Sequence, residues 1–135
     1  MAMPETTEKI TINLSVVDLG KIDFLVEQGF YANRTDFVKD AVRRTLDTHE
    51  TEVREKVART SAATGIVFLD RRDLEAARRK GQQLDLSIIG LLSFAADVTP
   101  DLADETIRSL RVYGSLRASP EVKEVLKRKM PPQVD

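Results

Sequence analysis

Residues Ile10, Ile12 and Leu14 alternate with Lys9, Thr11 and Asn13, the period-two pattern of a strand with one apolar and one polar face. A strand this short is unstable alone in water, and no hairpin partner follows, because the apolar spacing turns helical after Leu14. From about Val17 to Gln28, Leu19, Ile22, Leu25 and Val26 recur every three or four residues, with Asp18, Lys21, Asp23 and Glu27 mostly opposite, which predicts an amphipathic helix. Gly20 weakens it by about 1 kcal/mol relative to Ala unless a close contact requires the glycine. Gly29 is placed to end it, with Phe30 expected to fold back onto the core.

Asn33 predicts the cap of a second helix, and Asp36 three residues on predicts a capping-box arrangement. Phe37, Ala41, Val42, Thr45 and Leu46 mark its apolar face, and Lys39, Arg43 and Arg44 its polar one. The pattern continues through His49, Val53 and Val57, predicting one long helix. His49 is expected on its flank, with no titratable partner indicated.

The second half repeats. Gly65 precedes Val67 and Leu69, Gly90 precedes Leu92 and Phe94, and Gly114 precedes Leu116 and Ala118, so the glycines are spaced by 25 and 24 residues. A fixed period in the twenties marks stacked units that share a core. Each strand-like run leads into a helix-like one, opened by the cap Asp70 and by Thr99-Pro100-Asp101 and Ser119-Pro120-Glu121, the last two of which combine a cap with proline at the first helical position. The run LDLSIIGLLSF is nearly continuous in apolar residues, as befits the most buried strand. Strand–helix alternation predicts parallel strands joined by right-handed crossovers. Three units leave open sheet edges and apolar ends, so self-association through this half, or packing against the first half, is expected.

Composition narrows the function. The only histidine is His49 and there is no cysteine, which excludes disulfides, thiol nucleophiles and the usual zinc sites. No metal or cofactor is expected. The glycines match no phosphate-loop motif, and no nucleophile–base pair is legible, so an enzyme is not expected. Neither a membrane span nor a signal peptide is expected, which predicts a cytoplasmic protein. A net charge of -1 argues against bulk polyanion binding, while a local basic face remains compatible with it. The densest cluster, Arg71, Arg72, Arg78, Arg79 and Lys80, reads first as a solvated helix face and second as an auxiliary phosphate contact.

Strand, helix, tight turn and helix within the stretch EKITINLSVVDLGKIDFLVEQGFYANRTDFVKDAVRRTL resemble the ribbon-helix-helix family of DNA-binding proteins. The run YANRTDFVKDAVRR in particular is similar to the CopG and ParD-type members of the MetJ/Arc superfamily. The resemblance covers about the first third of the chain and implies an intertwined homodimer, with a two-stranded antiparallel ribbon in the major groove of double-stranded DNA. It implies base contacts from Lys9, Thr11 and Asn13, whose side chains suit that task, and a phosphate clamp at Asn33, Arg34 and Thr35, where a helix N-terminus already favours anions. Asp18, Asp23, Glu27, Asp36, Asp40 and Asp47 in this stretch predict a modest affinity per dimer.

The resulting plan is of α+β/α/β class. A flexible arm (1–8) precedes a ribbon-helix-helix domain (9–57), a linker or helix end (58–64), a region of about three βα repeats (65–130) and a tail (131–135). The function expected is a sequence-specific transcriptional regulator whose C-terminal half links dimers into tetramers or larger assemblies along one operator. Two rivals stand beside it. One is an antitoxin, whose C-terminal half takes a toxin as protein partner. The other is a structural scaffold that stacks into filaments.

Overall fold

The computed structural model describes residues 6–60 and 62–132, so most of the expected arm and the last three residues of the tail lie outside the described residues. The chain divides into two compact units, one from Lys9 to Lys56 and one that begins at Val57 and also includes Glu8.

In the first of these, α1 (Val16–Glu27) begins one residue earlier than the apolar spacing indicates. Ser15 is its cap, accepting the Asp18 N–H at 3.1 Å. Gly29 ends it in the left-handed region at φ +85, and the Phe30 N–H closes the turn on the Leu25 carbonyl at 3.0 Å, a Schellman-type stop. The Phe30 side chain does not fold back onto a core as expected, for it is 70% exposed. α2 (Arg34–Thr48) follows under the Asn33 cap. The predicted long helix is interrupted: α2 stops at His49 and α3 (Glu50–Thr60) starts immediately afterwards.

Residues Lys9 to Leu14 belong to no strand in the single chain. Their backbone has no ladder partner among the described residues, so the predicted strand does not form in the single chain. The unit is also sparsely filled. Ile22 is the one buried hydrophobic in this unit, while Ile10, Ile12, Val16, Phe24, Val42 and Leu46 are all exposed.

The second unit is built from β1 (Ala63–Leu69), α4 (Arg71–Arg79), β2 (Leu84–Phe94), α5 (Pro100–Thr106), β3 (Ile107–Arg117) and α6 (Pro120–Lys127). The three strands form a parallel sheet in the order β1-β2-β3, as the strand–helix alternation predicts. β1 starts at Ala63 and α3 runs to Thr60, so most of the segment read as a linker belongs to regular elements. All three predicted caps form: Asp70 with Asp73 as a complete capping box, Thr99 with the Leu102 N–H, and Ser119 with the Val122 N–H.

Leu74, Leu92, Leu102, Ile107, Leu110 and Leu126 are almost wholly buried and belong to one core between the sheet and its helices. Ile66, Phe68 and Tyr113 stay about half exposed; strand alternation puts them on the opposite side from Leu92 and its neighbours. The segment after α6 is tied to the fold. Lys129 binds Asp104 at 3.0 Å, and its carbonyl accepts the Leu110 N–H at 3.1 Å.

The repeat glycines fall in register across the sheet, Gly65 beside Gly90 and Gly90 beside Gly114. All three adopt positive φ, at +131, +136 and +124. A Cβ on Gly90 would stand 2.1 Å from the Gly65 carbonyl oxygen, and one on Gly114 2.1 Å from that of Gly90. No larger residue fits either position.

Candidate nucleic-acid interface

The residues expected to read bases and to clamp a phosphate, Lys9, Thr11, Asn13, Asn33, Arg34 and Thr35, all lie within Lys9–Lys56. Lys9, Thr11 and Asn13 are exposed, as are Ile10, Ile12 and Leu14 between them. In the single chain the segment therefore has neither a covered nor an uncovered side; pairing with a second segment is what would create the two faces.

At the start of α2, the Asn33 side chain accepts the Asp36 N–H at 2.8 Å. The Asp36 carboxylate reaches back to the Ala32 N–H at 3.0 Å rather than to that of Asn33, so the capping box is displaced by one residue. The first bond of the helical ladder runs from the Phe37 N–H to the Asn33 carbonyl at 3.2 Å. The Arg34 and Thr35 amides thus precede the ladder, at the end of the helix where its dipole favours an anion. Asn33, Arg34 and Thr35 are all exposed.

Arg34 is already engaged. Its guanidinium makes two hydrogen bonds of 2.8 Å with the Asp23 carboxylate on α1. The donated hydrogen bonds from Arg34 hold the Asp23 carboxyl below its ordinary value, and the same pair raises the guanidinium. A phosphate placed at this helix end would have to compete with Asp23 for Arg34. Sequence periodicity places Asp23 only on the polar side of α1; its pairing arises because the tight turn brings the two helices together, and no spacing rule announces that.

Several other charges are paired locally. Arg44 pairs with Asp40 at 2.9 Å, and Tyr31 donates to the same carboxylate at 2.8 Å. Tyr31 and Phe37 meet edge to face at 5.0 Å, fixing the turn against α2. His49 has an acidic neighbour after all, Glu52 at 2.8 Å. In the second unit, Arg71 binds Glu75 and Arg78 reaches Glu105, so part of the basic cluster is neutralised within the fold.

The ribbon-helix-helix transcriptional regulator family matches residues 5–123. The chain belongs to this family. The match runs through both units and not only the first third, so the βα-repeat region is part of this regulator's family architecture and not an unrelated appendage. No curated protein and no solved structure matches it. Membership gives this ribbon-helix-helix protein a DNA-binding role in transcription and the tendency of such regulators to dimerise. No helix among its described residues is long and apolar enough to cross a membrane.

Proposed function

We propose that this regulator is a sequence-specific DNA-binding homodimer in which two Lys9–Asn13 segments pair antiparallel and enter the major groove. Lys9, Thr11 and Asn13 read bases there, and the start of α2 at Asn33, Arg34 and Thr35 holds a backbone phosphate. The observation that carries this reading is the exposure of Ile10, Ile12, Val16, Phe24, Val42 and Leu46 around a single buried residue, Ile22. A unit so poorly filled needs a second copy for its core. Pairing the two segments would turn three apolar residues per chain inward and three polar ones outward, and a two-stranded ribbon fits the major groove.

The second unit has the opposite character, since it buries a core of its own. That supports a folded assembly domain over a toxin-binding tail, which would stay disordered until bound. Joining dimers through it multiplies a modest single-site affinity into useful avidity.

Selection of genomic fragments by the purified protein tests the reading, with the Lys9→Ala, Thr11→Ala, Asn13→Ala triple variant alongside. The wild type should enrich a repeated short site and the variant should not. Equal enrichment of one site by both would remove the ribbon from recognition; no enrichment by either would favour a scaffold.

A further inference from the structure

The glycine ladder is incomplete at one end. Gly90 and Gly114 each carry two reasons to be glycine, a positive φ and a neighbouring glycine carbonyl 2.1 Å from where a Cβ would stand. Gly65 has the same backbone, φ +131, yet nothing lies within 4 Å of its Cβ position. The carbonyl that occupies this place at the other two positions comes from the preceding strand, and β1 has none.

At the far end of the sheet the complementary vacancy is found. An open groove of about 640 Å³ is floored by Val112, Gly114 and Leu116 of β3, with Lys123 and Lys127 of α6 and the segment Met130–Pro132 around it. The Gly114 carbonyl there is the next step of the ladder.

We infer that β1 of a second copy continues the sheet beyond β3, in parallel, with its Gly65 beside Gly114. This deepens the assembly role proposed above and rests on it. The register follows from the ladder: Tyr113 stands beside the second copy's Thr64, Val112 beside its Ala63, and Leu116 beside its Val67. Small and apolar side chains thus meet on the core side.

The backbone of both edges permits it, with Glu8 resting on the side chains of Ser115 and Arg117 in the same stretch. The Leu110 N–H of β3 points away from β2, since it reaches the Lys129 carbonyl, so by alternation Val112, Gly114 and Leu116 also present their amides outward. The Leu69 carbonyl of β1 points toward β2, where it accepts the Ala95 N–H at 2.9 Å, which leaves Thr64, Ile66 and Phe68 facing the open edge. β1 spans only Ala63–Leu69 and would cover β3 from Val112 onward, so the capped Leu110 lies outside the pairing. Such a contact joins two different surfaces and leaves one of each free on every pair, so further copies can add.

Because the chain has no cysteine, engineered pairs report register directly. Within one chain Thr64 and Tyr113 lie in the same row with Ile89 of β2 between them, about 10 Å apart and too far for a disulfide. Mild oxidation of the full-length Thr64→Cys, Tyr113→Cys protein at moderate salt should give a ladder of covalent dimers, trimers and larger species on a denaturing gel. The off-register Thr64→Cys, Ser109→Cys pair should crosslink at least tenfold more slowly, and Thr64→Cys alone should give little product. Equal rates for the two pairs, products that stop at the dimer, or efficient crosslinking of Thr64→Cys alone would each overturn the parallel stack. DNA retention by the same samples separates the two levels. Selective retention without a ladder overturns the stack alone; loss of both overturns the regulatory reading as well.

Discussion

Arg34 at the start of α2 is held by Asp23 of α1 through two 2.8 Å hydrogen bonds, at the helix end where a phosphate is proposed to sit. The pair is exposed on both sides, so it adds little to stability, but it sets what Arg34 is free to do. Asp23→Asn should release the guanidinium and remove a negative charge from the phosphate path. DNA binding should tighten about two- to fivefold, the range an exposed pair of this kind commands, with the melting temperature hardly changed. Titration of a labelled operator duplex measures it. A weaker complex would mean that Asp23 positions Arg34 for phosphate instead of competing with it.

The sparse burial of Lys9–Lys56 predicts that its folding is tied to association. The unit should melt at a temperature that rises with protein concentration. Val42→Asp, which puts a charge on an exposed apolar position of α2, should abolish dimerisation and DNA binding together, because a charge buried at a dimer core has no partner. Analytical ultracentrifugation beside thermal melts checks both, and a variant that remains a DNA-binding dimer would place Val42 outside the interface.

Gly90→Ala should cost the second unit roughly 3 kcal/mol or more, since it combines a disfavoured positive φ with a collision against backbone that cannot swing aside. Gly114→Ala meets the same obstacle. Gly20→Ala differs in kind, because nothing lies within 4 Å of its Cβ position in the single chain, and so it should leave the second unit's unfolding untouched. Urea unfolding of the three variants separates them, and a Gly90→Ala protein as stable as wild type would refute the glycine ladder.

Asp85 gives a pH prediction. Hydrogen bonds from Arg108 and then Ser109 pull its carboxyl down from 3.8 to about 2. A carboxyl with a depressed folded value contributes stability that is present above its unfolded value, near 4, and lost as pH falls toward 2. The group is exposed, so the effect is small. Asp85→Asn should flatten the acid limb of the melting profile between pH 4 and pH 2 and change little at pH 7. An unchanged acid limb would show that the Arg108 pair does not persist in solution.

Much of this could be read from the sequence because local physics writes it there. Asn33, Asp70, Thr99 and Ser119 cap helices through bonds to residues only three positions away, and Gly29 stops α1 for a reason internal to one turn. The glycine period, the parallel order and the buried middle strand followed from spacing and apolarity, since stacked units repeat the same burial problem. What spacing could not show depended on distant residues meeting. The Arg34–Asp23 pair required two helices to fold across a turn, and the Glu8 contact with Ser115 and Arg117 joins residues more than a hundred positions apart. The break at His49 was hidden because apolar spacing continues across it. Most of all, the sequence marked three glycines as equivalent, but only the folded sheet distinguished them, leaving Gly65 with the backbone of its fellows and no neighbour to explain it.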